Sequence, residues 1–209
     1  MRPGILFIIS APSGAGKTTL VHALVKRDPS IVVSVSHTTR RQRPGEVNGL
    51  AYHFVDDATF TNMAEQQAFL EHARVFDHRY GTARHWVEAR LAEGRDVILE
   101  IDWQGARQVR TQGADPVSIF ILPPSMHALD QRLRTRGEDD AVVARRMRDA
   151  IHEMSHYPEY DYLVVNDSLD RAVRDLALIM DAARHCYRPL RLYFDAMVAG
   201  LLRDAGDIR

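Results

Sequence analysis

Cysteine and lysine are nearly missing from this chain. Of 209 residues only Cys186 is a cysteine, and only Lys17 and Lys26 are lysines. A lone cysteine excludes an internal disulfide and a cysteine-built zinc site, so a reducing, cytoplasmic setting is expected. Long apolar runs are missing too. The N-terminal run Ile5–Ile9 stops before Pro12-Ser13-Gly14, too short for a signal-peptide core, and nothing approaches the ~20 apolar residues that span a bilayer. No membrane partner is expected. Net charge is also lacking: 27 basic against 28 acidic residues leave −1, so no global field selects nucleic acid as a partner. There is no internal repeat or low-complexity tract. What is present is a 45% apolar, 26% charged chain, ordinary for one packed α/β domain with insertions. Because lysine is so scarce, the cations are almost all arginine, the planar bidentate donor.

Short apolar runs alternate with helical patterns. Strands are expected at Ile5–Ser10, Val32–Ser36, Asp96–Ile101, Val117–Leu122 and Tyr162–Val165, all buried, with a helix at Thr18–Arg27. Apolar residues from Leu169 to Ala183 recur at steps of three or four, which predicts an amphipathic helix, and a last helix is expected near Leu192–Leu202. Uniformly apolar strands between helices predict a parallel sheet covered on both faces. The region 37–94 differs. Turn signals at Arg43-Pro44-Gly45, Asn48-Gly49 and Tyr80-Gly81 separate half-polar strand candidates at Ala51–Val55 and Phe69–Phe76, which suggests a small mixed or antiparallel insertion. The segment 125–157 is helical, Arg-rich and bounded by prolines, as a lid would be. The expected division is a core of 1–36, 95–124 and 158–209, an insertion at 37–94 and a lid at 125–157.

The sharpest motif is Ala11-Pro12-Ser13-Gly14-Ala15-Gly16-Lys17-Thr18, directly after the first strand and opening the first helix. It matches the phosphate-binding loop G-x-x-x-x-G-K-[ST] except that Ala11 replaces the first glycine. Gly14 and Gly16 let backbone N–H groups converge on a phosphate, and the helix N-terminus adds partial positive charge. Lys17 is placed to reach the β/γ-phosphates and the Thr18 hydroxyl to ligate Mg²⁺.

Beyond the loop, further motifs occur in order: Ser36-His37-Thr38-Thr39-Arg40, Arg43-Pro44-Gly45-Glu46, Tyr52, Phe69-Leu70-Glu71, Tyr80-Gly81-Thr82, Glu100-Ile101-Asp102-Trp103-Gln104-Gly105, Arg132-Leu133, Arg136-Gly137 and Val165-Asn166-Asp167. Together they resemble the guanylate kinase family over about residues 4–186. The resemblance implies an α/β fold: a three-layer P-loop core with a parallel sheet, a small mixed-sheet GMP-binding insertion and a helical lid. It implies transfer of the γ-phosphoryl group of ATP to GMP or dGMP, with Mg²⁺, giving ADP and GDP in purine metabolism. ATP would be held by Ala11 to Thr19, including Thr19, with Asn166 near the adenine. The GMP phosphate would meet Arg40, Arg43, Tyr52 and Tyr80. Glu71 and Asp102 would accept the N1–H and N2–H donors of guanine, with the hydroxyls of Ser36 and Thr82 completing that edge. Adenine presents the opposite sense there and would be refused.

Phosphoryl transfer needs positioning and charge stabilisation more than covalent help. The resemblance therefore gives catalytic roles to Lys17 and to lid arginines Arg132, Arg136 and Arg146. The spacing leaves Arg145 and Arg146 as alternatives for the last of these. Glu100 and Asp102, two apart at the end of a buried strand, face the same way and could orient Mg²⁺ through water. Two other readings compete. A non-catalytic guanylate-kinase-like binding module would have lost the loop, whereas Lys17, Thr18 and the lid arginines are present. A related phosphotransferase, such as a ribose 1,5-bisphosphate phosphokinase, would not need Ser36, Glu71 and Thr82. His152-Glu153-Met154-Ser155-His156 also matches the zinc-protease pattern H-E-x-x-H. No third ligand follows it, and Tyr157-Pro158 ends the helix at once.

Overall fold

The computed structural model describes residues 2–75, 77–135 and 139–206. Its first strand, β1 (Leu6–Ser10), is buried at every position. A strand apolar on both faces needs cover on both, and its side chains alternate between two cores accordingly. Ile5, Phe7 and Ile9 pack with Leu20, Leu24, Leu176 and Met180, while Leu6 and Ile8 pack with Val87, Val97, Ala106 and Phe120. The sheet runs β2 (Ile31–Val33), β7 (Asp96–Leu99), β1, β8 (Val117–Leu122), β9 (Tyr162–Val165), every pair parallel. Helices α1 (Lys17–Arg27) and α7 (Leu169–Ala183) cover one face. α3 (Arg84–Ala92) and α4 (Trp103–Thr111) cover the other. α7 buries Ala172, Leu176, Met180 and Ala183, the stripe expected from its spacing.

The second sheet has the order β4 (His53–Phe54), β3 (His37–Thr38), β6 (His78–Ala83), β5 (Phe69–Val75), with α2 (Asp57–Glu65) packed on it. It is mixed: β3 pairs parallel with β4 and antiparallel with β6, which pairs antiparallel with β5. α5 (Met126–Arg134) and α6 (Asp140–Met154) form a helix pair with its own small core of Leu129, Leu133, Val143 and Ala150. α8 (Arg191–Gly206) closes the described chain.

Four expectations are corrected. Tyr80-Gly81 is not a turn but the middle of β6, opposite Thr38 and His37. A Cβ on Gly81 would lie 2.9 Å from the Phe69 ring and 3.1 Å from that of Phe60, so close packing, not chain reversal, fits the glycine here. β9 is an edge strand: Tyr162, Leu163 and Val165 are exposed and only Val164 is buried. The strand expected at Val32–Ser36 is Ile31–Val33, and β7 stops at Leu99, so Glu100 and Asp102 follow it rather than end it.

Candidate active site

The described residues contain a cleft of about 580 Å³ at the C-terminal end of β1, between the phosphate-loop segment, the second sheet and α6. Open parallel sheets place ligands at such strand ends. The loop after β1 is fixed by its glycines. Gly14 and Gly16 hold φ of 92° and 95°, and Gly16 caps α1 from the left-handed region. A Cβ on Gly14 would meet Leu129 and Leu133 at 3.0 Å, so the loop lies directly on α5. From this loop Pro12, Ser13, Gly14, Gly16, Lys17, Thr18 and Thr19 line the cleft, with Ala11 at its start. Ala15 is fully buried behind it.

Two residues expected as ligand contacts hydrogen-bond the loop from behind. The buried Asn166 donates Nδ2 to the Ala15 carbonyl at 2.7 Å. Arg132 donates Nη1 to the same carbonyl at 3.3 Å and Nη2 to the Asn166 carbonyl at 2.9 Å. Neither side chain is among those lining the cleft. Arg146 does line it and donates to Ser13 Oγ at 3.3 Å, whereas Arg145, one residue earlier on α6, lies 4.0 Å from Asp149 on the exposed side. Arg136 lies outside the described residues.

At the far end of the cleft the second sheet presents Tyr80, and the segments flanking its strands present Ser36, Arg40, Arg43 and Tyr52. Arg40 makes a bidentate pair with Glu46 at 2.6 and 3.1 Å, and Glu46 also accepts from the Arg43 backbone N–H at 2.8 Å. Arg40 lies 5.3 Å from the Tyr52 ring centroid, and Tyr52 and Tyr80 meet edge to face at 5.8 Å. Burial raises the Tyr52 hydroxyl above its ordinary pKa, which keeps it a neutral donor.

Between these ends lie the carboxylates. Glu71 on β5 is 4% exposed and accepts from the fully buried Thr82 Oγ1 on β6 at 2.6 Å. Burial pushes its carboxyl up to about 7, helped by the nearby charge of Asp102 and opposed by the Thr82 hydrogen bond. Asp102 caps α4, accepting from the Gly105 backbone N–H at 3.0 Å, and so opens into the cleft. Glu100 accepts from Thr18 Oγ1 at 3.4 Å. Thr18, Glu100 and Asp102 thus offer hard oxygen donors on one wall, a set that suits Mg²⁺ held mainly by nucleotide phosphates. Among the described residues no group of three or more His, Cys, Asp or Glu forms a self-sufficient metal site.

The H-E-x-x-H segment divides its side chains between two directions. His156 stacks on Trp103 at 3.8 Å and bonds Glu159 at 2.7 Å, and His152 meets Trp103 edge-on at 5.7 Å. Glu153 turns instead into the cleft, near Lys17 and the Ser13 backbone. Burial pushes its carboxyl up to about 7, and Lys17 opposes that shift. Reading the sequence missed this residue as part of the nucleotide cleft. The signal available was its spacing, seven residues or two turns after Arg146 on one helix face. Asp77 and His78 also line the cleft and carried no motif.

The profile of the family described as guanylate kinase matches residues 4–183. A guanylate kinase of Chromohalobacter salexigens is 56% identical over 206 residues, 98% of this chain and 96% of its own. One from Escherichia coli is 53% identical over 207 residues, 98% and 100% of the two chains. The crystal structure of guanylate kinase from Anaplasma phagocytophilum superposes with a TM-score of 0.75 at 33% identity, covering 90% of each chain.

Proposed function

This chain belongs to the guanylate kinase family and is an ATP:GMP phosphotransferase; from that premise we propose how its residues divide the work. One observation carries the division: a single cleft holds a glycine-shaped anion loop at one end and the Arg40, Arg43, Tyr52 and Tyr80 cluster at the other, with the buried Glu71 and the half-buried Asp102 between them. Two nucleotides bound there would meet at their phosphates.

At the loop end, backbone N–H groups and Lys17 hold the donor phosphates and Arg146 approaches from α6. Its hydrogen bond to Ser13 Oγ, and the exposed setting of Arg145, support Arg146 over its neighbour. Arg132 and Asn166 act by seating the loop, an assignment supported by their shared hold on the Ala15 carbonyl. The sequence pattern alone supports Arg136 as a further cation. At the acceptor end, Arg40, Arg43, Tyr52 and Tyr80 bind the GMP phosphate. Arg40 is held by Glu46 beforehand, so its fork is oriented before the phosphate arrives. Glu71 and Asp102 read the guanine N1–H and N2–H₂, with Ser36 and Thr82 beside them. Thr82 acts through Glu71, which it orients.

A kinase reaction generally uses Mg²⁺ with ATP, and Thr18, Glu100 and Asp102 are the residues that would hold it. When bound, the ion would supply positive charge that offsets the negative charge of the transferring phosphoryl group. The 37–94 insertion acts as the GMP-binding unit, and the α5/α6 pair acts as the lid that excludes water. The setting proposed is the cytoplasm, with small nucleotides as the only partners the site requires; no helix among the described residues is long and apolar enough to cross a membrane.

A coupled ADP-release assay with GMP, dGMP, AMP and UMP as acceptors tests this reading. Turnover is expected with GMP and dGMP, and comparable turnover with AMP would refute the base-reading role of the carboxylates. The same assay on Lys17→Ala is expected to show loss of roughly 10²-fold or more in kcat. Near-normal turnover in that variant would refute the loop assignment.

A further inference from the structure

Gly105 stands at the third position of α4, inside the first helical turn after its Asp102 cap. Its φ does not lie in the left-handed region. Alanine is the better helix former at such a position, so neither turn geometry nor propensity calls for glycine here. Its surroundings do. An added Cβ would sit 2.7 Å from Glu71 Oε2, 3.2 Å from Glu71 Cδ and 3.2 Å from Ile101 Cβ. The first distance is shorter than real Cβ contacts allow, so something must shift. Glu71 is the far end of a side chain, but it is buried and gripped on its other oxygen by Thr82 at 2.6 Å. Gly105 also donates its backbone N–H to Asp102 Oδ1 at 3.0 Å. One small residue is therefore the shared neighbour of both carboxylates.

We propose that Gly105 is a specificity-positioning residue, whose missing side chain sets the Glu71 carboxylate against guanine while its N–H fixes Asp102 beside it. This rests on the reading that Glu71 accepts hydrogen bonds from the base. A methyl at 105 leaves the N–H and the cap in place but pushes the Glu71 carboxylate off the line between Thr82 and the ligand. The yield is local, because the group that moves is a side-chain terminus rather than the helix. Loss is therefore expected in base selection and not in folding.

The test compares wild type with Gly105→Ala, Glu71→Asp, the double variant and Glu71→Gln, using GMP, IMP (the same purine without the 2-amino group) and ATP. Gly105→Ala is expected to raise KM for GMP by roughly tenfold or more, while KM for ATP changes by less than about twofold. The preference for GMP over IMP is expected to fall while the protein stays folded at the assay temperature, the gain in helix propensity offsetting part of the strain. Asp at 71 is one methylene shorter and leaves room for the methyl. The double variant is therefore expected to lose less than the product of the two single losses. Were Gly105→Ala to misfold while the double variant folds, the clash with Glu71 would be demonstrated directly. Misfolding of both would overturn the proposal, as would wild-type GMP affinity and selectivity in Gly105→Ala or simply multiplicative losses in the double variant. Glu71→Gln separates the two levels. If it leaves KM for GMP unchanged, the base-reading role itself fails; if it raises KM while Gly105→Ala does not, only the role of Gly105 fails.

Discussion

Glu71 combines burial with a reading task that needs charge. Its carboxyl is pushed up to about 7 chiefly by desolvation, so the resting group is substantially protonated at neutral pH. Guanine offers donors, which the ionised form accepts best. Binding GMP should therefore expel a proton below about pH 7, and GMP affinity should rise with pH up to that value. Calorimetry in two buffers of different ionisation enthalpy at pH 6 should show this release, and Glu71→Gln should lower it, the remainder coming from the GMP phosphate, whose second pKa is about 6. Glu153, also pushed up to about 7, lies beside Lys17 and the Ser13 backbone of the loop, and Glu71→Gln separates its contribution from that of Glu71. The stability of the empty protein should run the opposite way. A carboxyl whose folded pKa exceeds its unfolded value makes the native state bind more protons between them. Between about pH 4.5 and 7 this group makes stability fall as pH rises, by an amount on the order of 3 kcal/mol over the window. Glu71→Gln should remove that slope, and denaturant midpoints at pH 5 and 8 check it. The identity of Glu71 was legible in the sequence through its motif. Its protonation was not, because that depends on Thr82, Asp102 and burial, which come together only in the fold.

At the scale of elements, the loop is held by groups that lie on other segments. Gly14 lies against Leu129 and Leu133 of α5, and the Ala15 carbonyl is held by Asn166 after β9 and by Arg132 on α5. The loop's seat is thus built partly from the proposed lid. Leu133 is fully buried in the small α5/α6 core, and Leu133→Ala should cost about 2–5 kcal/mol locally. The expected result is a raised KM for ATP with little change in KM for GMP, measured by steady-state kinetics; equal rises would show that the helix pair does not selectively support the loop. Some elements could be read from the chain and some could not, for a physical reason. β1 and β8 are short, almost unbroken apolar runs and α7 is a fifteen-residue amphipathic repeat, and all three match their expected bounds closely. β3 and β4 are two residues long and have no period to read. Gly81 imitates turn punctuation because a glycine needed for close ring packing looks the same in sequence as one needed for a bend. Asp102 was expected at the end of a strand; it is instead the cap of α4, and the cap fixes its carboxylate.

For the whole molecule, sequence patterns show which residues are apolar but not which charges meet across the fold. Asp96 opens β7 and is 1% exposed. It accepts from the Ile5 backbone N–H at 2.9 Å, from Arg2 at 3.1 Å and from Arg184 at 2.7 Å. Arg184, just after α7, also reaches Asp28 at 2.7 Å at the end of α1. This network ties the start of the central sheet to both helices on one face, with partners 88 and 91 residues apart that no local pattern links. It lies at the sheet's opposite end from the cleft, since β1 begins beside it and ends at the phosphate loop. Removing Asp96 leaves the buried Ile5 N–H without its acceptor and takes a carboxylate from Arg2 and Arg184, although Arg184 keeps Asp28, at a cost of about 1–3 kcal/mol. Asp96→Ala should therefore lower the denaturant midpoint strongly while the surviving folded fraction keeps normal KM for both nucleotides. Chemical denaturation paired with kinetics at low temperature distinguishes the outcomes. A shift in KM without loss of stability would mean that the two ends of the sheet are coupled, so that the strand ends bearing the site are not held independently of the network at their starts.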